Sequence, residues 1–229
     1  MTKKYRVLPK TASVAHSQND GKLHAPSAIR NIKAILPAIT PFMPKSGCAT
    51  EIASGTGEHI LRYAQAFPDI IWQPTDIDTA RLTSIKAWAL DAGHPNILAP
   101  KHLDAATPGW ARDWPQQDAI ILCNLLHLIS AAEAAMLLAQ ATRALAPNGV
   151  FLVYGPFLRG SEFASNADRE FHKSLHSHHA DIGYKSFEWV QQNQAKAGLT
   201  PNPPIEMPAN NLLLVARKGD PLGTDTTQQ

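Results

Sequence analysis

The sequence predicts an α/β protein with a Rossmann-like fold, in which helices cover both faces of a mostly parallel sheet. From residue 47 onward, short apolar runs alternate with segments of helical periodicity. Continuous apolar strands separated by helices are typical of a parallel sheet that is buried on both faces. A glycine-rich turn joins the first of these strands to the next helix, and acidic residues follow the second and third strands. These three observations together indicate a nucleotide-binding type of sheet.

Each element follows from a local pattern. Apolar residues at helical spacing predict a helix over residues 26–39, which Pro37 would end early or kink. The strands predicted next are 48–53, 70–74, 96–99, 119–123 and 150–154, and the helices between them are 59–67, 80–91 and 131–145. A polar insertion over about 155–183, with a helix around 168–176, interrupts the alternation. A helix over 186–197 and a hairpin of 204–207 with 212–215 complete the predicted fold.

Length and composition indicate one domain over 25–218, with an N-terminal arm over 1–24 and a polar tail over 219–229. The net charge of +2 is spread along the chain, so we expect no nucleic-acid partner. No apolar run approaches the ~20 residues of a membrane span, and the basic N-terminus lacks the apolar core of a secretory signal. We therefore expect a cytoplasmic protein without a membrane partner. The oligomeric state stays open, with a homo-oligomer among the alternatives.

The strongest local signal is Glu51-Ile52-Ala53-Ser54-Gly55-Thr56-Gly57-Glu58-His59, between a strand and a helix. Gly55 and Gly57 allow a sharp turn and the approach of a ligand to the main chain. The third glycine of the dinucleotide fingerprint is replaced by Ile60, and Glu58 would repel a phosphate from the helix N-terminus. A cationic sulfonium without phosphate, as in S-adenosylmethionine, suits this turn better than NAD. We expect Gly57→Arg to abolish cofactor binding while the protein remains folded.

Polar residues follow the next strands at the positions where a nucleoside would lie. Asp76 ends the second strand and can accept hydrogen bonds from both ribose hydroxyls. Asp78 is predicted to cap the next helix. Asp104, after the third strand, can accept from the adenine amino group, and Asn124 ends the fourth strand, followed by His127. Each acid alone could be a helix cap or a solvated side chain, but their order and spacing favour a cofactor site.

These residues resemble the motifs of class I S-adenosylmethionine-dependent methyltransferases. The segments 26–31, 51–59, 154–157 and 207–212 are further similar to the methyltransferase-like 26 family, over roughly residues 24–218. The resemblance implies a seven-stranded sheet with an antiparallel last strand, a helical insertion after the fifth strand, and S-adenosyl-L-methionine as cofactor. The cofactor-binding residues that it implies are Glu51, Ala53, Gly55, Thr56, Gly57, Asp76, Ile77, Asp104, Ala105 and Asn124.

Methyl transfer from a sulfonium is an in-line displacement, so the protein needs mainly to align the acceptor and to exclude water. His127 is a candidate general base, or a histidine that packs on a helix face. Tyr154 either contacts the acceptor or closes the core. The residues proposed to bind a small-molecule acceptor are Arg30, Asn31, Arg159, Asn166 and Asn210.

We expect no metal: His172 and His176 share a helix face at i and i+4, but the intervening acid of a metalloprotease helix is missing and no cysteine lies nearby. Two alternatives stay open. An NAD-dependent oxidoreductase shares the glycine turn and the ribose acid, and a non-catalytic cofactor-binding or regulatory protein shares the whole fold.

Overall fold

The computed structural model describes residues 9, 14–17, 21–114 and 116–220. Most of the predicted arm and tail therefore lies outside the described residues. Within the arm, β1 (His16–Ser17) and β2 (Leu23–His24) pair antiparallel. No helix in the described ranges is long and apolar enough to cross a bilayer.

The main body alternates strands and helices as the sequence predicts. The strands are β3 (Gly47–Ile52), β4 (Ile70–Asp76), β5 (Lys101–His102), β6 (Gln117–Cys123), β7 (Leu145–Pro156), β8 (Leu199–Pro201), β9 (Ile205–Glu206) and β10 (Asn211–Lys218). The helices are α1 (Pro26–Ile39), α2 (Glu58–Ala66), α3 (Thr79–Ala92), α4 (Ala131–Ala144), α5 (Asn166–His178) and α6 (Phe187–Lys196).

The strands form one mixed sheet in the order β5-β4-β3-β6-β7-β10-β8, and β9 also pairs with β10. Strands β3 to β7 run parallel, and β10 is antiparallel to β7. The order reverses between β3 and β6, so the carboxyl ends of these two strands form the topological switch point at which open α/β sheets bind ligands. The predicted mostly parallel sheet with an antiparallel last strand is confirmed.

One apolar cluster lies on each face of the sheet, which explains why the central strands are continuously apolar. Ala49 and Ile121 belong to the cluster that contains residues of α1 and α2, whereas Ile52 and Leu122 belong to the cluster that contains residues of α4. The alternation of side chains along a strand therefore determines which residues at the carboxyl edge face α1 and α2.

Two predicted strands differ from those of the structure. The third strand is not 96–99 but the two-residue β5, which pairs with Thr75 and Asp76. The main chain of residues 96–98 bonds to β4 only at Trp72, whose N–H donates to the Asn96 carbonyl oxygen and whose carbonyl oxygen accepts the Leu98 N–H. The buried Asn96 side-chain amide donates to the carbonyl oxygens of Ala64, Phe67 and Ile70. The predicted strand 204–207 corresponds to the shorter β9, and β8, which the sequence does not predict, pairs with another part of β10.

Pro37 does not end α1, which continues to Ile39. Proline removes one backbone hydrogen bond within a helix. The fully buried Ile35 and Ile39 lie on one face of α1, on either side of Pro37, and pack into the core. Their burial explains why the helix extends past the proline.

Candidate cofactor and active site

The glycine turn between β3 and α2 has an unusual backbone. Ala53 has φ 54°, Gly55 has φ 60° and Gly57 has φ 97°. Positive φ is uncommon for a residue with a Cβ, and such conformations persist where the surrounding structure enforces them, often at functional sites. The turn is held by the N–H of Ser54, which donates to the Thr75 carbonyl oxygen at 2.7 Å. Its main chain is therefore fixed against the end of β4.

Asp76 connects this turn to the end of β4. One carboxylate oxygen accepts the N–H of Gly55 at 2.9 Å, and the other accepts the N–H of Asp78 at 3.0 Å. Burial raises the pKa of Asp76, while these two backbone hydrogen bonds oppose the rise. A carboxylate oxygen can accept more than one hydrogen bond, so both oxygens retain capacity for a pair of hydroxyls. Asp78 caps α3 by accepting from the N–H of Ala80, as predicted.

The two glycines of the turn have different surroundings. A Cβ added at Gly55 would lie 3.1 Å from the side-chain Nη1 of Arg81, whereas a Cβ at Gly57 would lie 2.9 Å from the Cα of Ile85. Gly57 is thus packed directly against the backbone of α3. Any side chain at this position requires a shift of α3, so the prediction that Gly57→Arg leaves the protein folded has to be tested together with its effect on cofactor binding.

We predict that Gly57→Ala lowers the free energy of unfolding by about 3 kcal/mol, through overpacking against α3 and the positive φ. Gly55→Ala is the matched variant, since it meets the same backbone penalty but only the end of a flexible side chain. The free energy of unfolding of Gly55→Ala should fall by only about 1–2 kcal/mol. Urea unfolding of both variants measures the difference, and equal losses would contradict the assigned packing of Gly57.

Glu51 is buried at the end of β3, on the face that α2 covers. Its side chain is 2% exposed, and its Oε2 has no hydrogen-bond partner. Burial raises the pKa of Glu51 to about 8, a hydrogen bond to Ser54 opposes the rise, and the charge of Asp76 adds to it. The carboxyl group is therefore largely protonated at neutral pH. A buried oxygen without a partner is costly, and a ligand donor or cation would remove that cost.

His59, in the first turn of α2, connects Glu51 to α1. Its Nε2 lies 3.1 Å from the carbonyl oxygen of Ala28, which can only accept, so Nε2 carries a proton. Burial lowers the pKa of His59. The neutral ring then presents its Nδ1 lone pair to Glu51 Oε1 at 3.9 Å. Both groups are neutral, so this contact is not an ion pair even though its distance would allow one.

The N-terminus of α2 is also covered by the segment that leads into α1. The carboxylate of Glu58 accepts from the Ala25 N–H at 2.9 Å and the Thr56 hydroxyl at 2.8 Å, and it lies 3.3 Å from His24 Nδ1. A carboxylate thus occupies the position where a dinucleotide would place its pyrophosphate.

The remaining cofactor candidates follow β4, β5 and β6. Ile77 is partly exposed next to Asp76. Asp104 is partly buried and accepts from the Ala106 N–H at 3.1 Å, and Ala105 is buried. Asn124 has φ 55° and donates its N–H to the Tyr154 carbonyl oxygen at 2.8 Å. Each lies where the parallel strands reach the carboxyl edge.

The two catalytic candidates are both buried. Tyr154 is 2% exposed, and its hydroxyl forms a hydrogen bond with the side chain of Asn211. Burial raises the pKa of Tyr154 to about 12. His127 is 6% exposed, and burial, together with the charge of Lys185, lowers its pKa to about 3. Both side chains are therefore neutral across the physiological pH range.

The insertion brings two of the predicted acceptor residues together but not the others. Arg159 pairs with Glu206 at 2.6 Å and lies 3.5 Å from the carbonyl oxygen of Asn210. Asn210 Nδ2 donates to Asp168 at 3.0 Å. Asn166 is exposed at the start of α5.

Arg30 and Asn31 lie on α1, two and three residues after Ala28, whose carbonyl oxygen contacts His59. Arg30 is exposed and Asn31 partly buried.

Several residues of this region could not be singled out from the sequence. Asp168 accepts from Ser165, Asn210 and the Tyr184 hydroxyl, so it connects α5 to two distant segments. The only sequence signal is the Ser165-x-x-Asp168 spacing of a helix N-terminus, which the structure bears out. Asn211, Tyr184 and Lys185 have no local motif. In the described part of the chain, no cluster of three His, Cys, Asp or Glu side chains could hold a metal ion.

Comparison with known proteins identifies a family and a fold. Residues 22–218 match a family model described as "Protein of unknown function (DUF938)". Among solved structures, an O-methyltransferase family protein from Burkholderia thailandensis superposes with a TM-score of 0.69 and 16% identity, over 85% of this chain and 59% of that one. Human N-acetylserotonin methyltransferase in complex with SAM superposes with a TM-score of 0.67 and 16% identity, over 82% of this chain and 52% of that one.

An O-methyltransferase family 2 protein from Planctomyces limnophilus, in complex with apigenin, gives a TM-score of 0.64 and 22% identity, over 75% of this chain and 49% of that one. The chain thus spans little more than half the length of these proteins. At these identities the likeness concerns the fold, which is that of S-adenosylmethionine-dependent O-methyltransferases.

Proposed function

The chain belongs to the DUF938 family, and from that premise we propose that it is an S-adenosylmethionine-dependent methyltransferase that acts on a small molecule. When bound, the cofactor supplies an activated methyl group on a cationic sulfur. The residues of this chain bind it, orient the acceptor and exclude water.

One observation carries the proposal: the Asp76 carboxylate, at the end of β4, accepts the N–H of Gly55, in the turn that follows β3 beside the switch point of the sheet. Two oxygens with remaining acceptor capacity, beside a turn with open main chain, suit the vicinal hydroxyls of a ribose. The proposed site continues along the carboxyl edge, with Asp104 and Ala105 beside the adenine.

Glu51 and Asn124 are the proposed contacts of the amino-acid end of the cofactor. The buried Oε2 of Glu51 lacks a partner, and Asn124 is partly exposed at the end of β6. An ammonium group next to Glu51 would favour its ionised form and satisfy that oxygen. Both side chains follow strands that meet at the switch point.

The acceptor is proposed to lie between α1 and the insertion, near Arg30, Asn31, Asn166 and Asn210. The guanidinium of Arg159, which the sequence suggests as a contact of the acceptor, is paired with Glu206. We therefore assign Arg159 a role in holding the β9–β10 turn. Tyr154 is proposed to shape the floor of the site through Asn211.

An NAD-dependent oxidoreductase fits less well. Ile60, at the position of the third fingerprint glycine, is fully buried in the core, and the Glu58 carboxylate covers the helix N-terminus. A pyrophosphate would have to displace a carboxylate that accepts two hydrogen bonds. The similarity to the methyltransferase-like 26 family, the cytoplasmic location and the oligomeric state stay predictions.

Calorimetric titration of the purified protein with S-adenosylhomocysteine and, separately, with NAD tests the proposal. We expect saturable binding of S-adenosylhomocysteine and none of NAD at the same concentrations. Binding of NAD alone would reverse the assignment. Binding of S-adenosylhomocysteine without methyl transfer to any component of a metabolite extract would favour the non-catalytic alternative.

A further inference from the structure

The segment of residues 182–185, at the end of the insertion, lies between helix α5 and the carboxyl edge of the sheet. On one side, the Gly183 N–H donates to the His127 carbonyl oxygen at 3.0 Å, in the turn that follows β6. On the other side, Tyr184 bonds to side chains of α5 through both its N–H and its hydroxyl. The segment therefore attaches α5 to the body of the protein.

The hydrogen bond from the Tyr184 N–H ends on a histidine ring. Its acceptor is Nδ1 of His172, at 3.0 Å. A backbone N–H can only donate, so Nδ1 must carry a lone pair, and the proton of the neutral ring must lie on Nε2. A protonated histidine carries an N–H group on each ring nitrogen. This hydrogen bond therefore exists only while His172 is neutral.

The ring of His172 is also packed closely against the segment. A Cβ added at Gly183, which has φ 142°, would lie 2.8 Å from both Nδ1 and Cε1 of this ring. Two further rings meet it edge-on, that of Phe163 with a centroid distance of 5.0 Å and that of His176 with 4.5 Å. A proton on Nδ1 would face the Tyr184 N–H, and two donors repel. Because the ring is confined on these sides, its protonation requires the segment to move away from α5.

Positive groups surround the ring on its own helix and on the segment that it binds. His176 follows one turn later on α5. The Lys185 ammonium is held by the carbonyl oxygens of Gly183 and Ile129. Burial, His176 and Lys185 all lower the pKa of His172 from its ordinary value of 6.5. The attached arrangement therefore favours the neutral ring, and uptake of a proton favours separation.

The charged side chains of the preceding helical turn are engaged by other groups. The Arg169 guanidinium lies over the Phe163 ring, 4.9 Å from its centroid. The Asp168 carboxylate accepts three hydrogen bonds, from Ser165, Tyr184 and Asn210. Through Asp168, the attachment of the segment is linked to the turn that contains Asn210.

We infer that His172 is an acid-sensitive latch that holds the insertion against the carboxyl edge of the sheet. When the ring takes up a proton, it loses the Tyr184 N–H, and segment 182–185 separates from α5. The latch is closed above about pH 6.5, where a free histidine is neutral, and opens as the pH falls below that value. It operates whether or not the protein is a methyltransferase.

The base of the insertion is held independently of His172. The Leu158 N–H donates to the Lys185 carbonyl oxygen at 3.0 Å, and the Phe187 N–H donates to the Leu158 carbonyl oxygen at 3.0 Å. These are backbone hydrogen bonds that do not titrate. The insertion can therefore loosen beside the proposed ligand site while its base and the sheet remain folded.

Hydrogen exchange of the Tyr184 amide, followed by NMR between pH 5 and 8 and corrected for the intrinsic exchange rate, tests the latch. We expect constant protection from pH 8 to 7. Below about pH 6.5 protection should fall, by at most about tenfold per pH unit, because one proton is taken up on opening. The Leu158 amide is the internal control and should keep its protection. No loss at Tyr184, or an equal loss at both amides, would overturn the inference.

His172→Asn separates the proton from the hydrogen bond. The asparagine oxygen can take the place of Nδ1 as acceptor and does not titrate, so protection of the Tyr184 amide should no longer depend on pH. His176→Asn, which changes the other histidine of the pair, is the matched control and should retain the loss at acidic pH. A dependence that persists in His172→Asn would contradict the latch.

Nitrogen-15 NMR of the His172 ring in the wild-type protein gives a measurement that needs no variant. We expect Nδ1 to be unprotonated at pH 7.5, and its titration to coincide with the loss of protection at Tyr184. A proton on Nδ1 at pH 7.5, or a ring that titrates while the Tyr184 amide stays protected, would also overturn the inference.

Discussion

Asp76→Asn is expected to weaken the binding of S-adenosylhomocysteine on the order of 100-fold. The substitution removes the charge from two hydrogen bonds to the ribose and replaces one acceptor by a donor. Hydrogen bonds to a charged group contribute about 1.5–3 kcal/mol each, and 100-fold corresponds to about 2.7 kcal/mol. The Asn side-chain oxygen can still accept the Gly55 N–H, which keeps the turn attached to β4, whereas the hydrogen bond from the Asp78 N–H is lost because an amide nitrogen cannot accept it. Calorimetry measures the affinity, and circular dichroism measures the retained fold.

Asp78→Asn is the matched control, two residues further along the chain. This carboxylate is exposed and caps α3 by accepting from Ala80, and asparagine is an equally good cap. The variant should bind S-adenosylhomocysteine within about twofold of the wild type. If both variants lost affinity equally, a general charge effect and not a ribose contact would explain the result.

Glu51→Gln is expected to stabilise the free protein at neutral pH and to weaken cofactor binding. Burial raises the pKa of Glu51 to about 8 in the folded protein from its ordinary value of 4.5. The folded state therefore holds a proton that the unfolded state has released. The contribution of this group to stability is fully present below pH 4.5 and is lost as the pH rises to about 8. At pH 7 the loss is on the order of 3 kcal/mol.

Glutamine has no proton to lose, so Glu51→Gln should remove this pH dependence. We expect a Tm several degrees above the wild type at pH 7.5 and a much smaller difference at pH 5, where only about 1 kcal/mol of the contribution has been lost. Glu170→Gln, an exposed carboxylate paired with Lys173, should show no such pH-dependent gain. A Glu51→Gln variant that is less stable than the wild type at pH 7.5 would contradict a protonated Glu51.

Glu51 also links the binding of S-adenosylhomocysteine to the release of a proton. An ammonium beside Glu51 would lower its pKa, so binding of S-adenosylhomocysteine at pH 7 should release up to one proton and strengthen as the pH rises towards 8. Calorimetry in buffers of different ionisation enthalpy counts the protons. Glu51→Gln should bind more weakly and release none. Proton release that persists in this variant would show that another group is responsible.

Much of the fold could be predicted because its signals are local. Apolar runs with helical segments between them determine β3, β4, β6 and β7, and the glycine turn is contiguous in sequence. The third strand could not be predicted, because it consists of the two polar residues of β5, which pair with Thr75 and Asp76. Pro37 predicts an early end or a kink of α1, but the packing of Ile35 and Ile39 in the core stabilises the helix beyond the proline.

For the candidate site, local features could be predicted where one motif carries them, and contacts between distant segments could not. Asp76 and Asp78 were assigned distinct roles from position alone, and the Asp78 cap is confirmed. The packing of Gly57 against Ile85, the pairing of Arg159 with Glu206 and the convergence on Asp168 all join residues more than 25 positions apart or in separate segments. The shifted pKa values of Glu51 and His127 could not be predicted either, because they result from burial, which the spacing of residues in the sequence does not specify.

A crystal structure of the complex with S-adenosylhomocysteine tests the central assignment most directly. We predict both ribose hydroxyls within hydrogen-bond distance of the Asp76 carboxylate and the adenine beside Asp104. The amino group should lie near the unpartnered oxygen of Glu51. A ribose bound elsewhere, with the edge between β3 and β4 still closed by protein side chains, would contradict it.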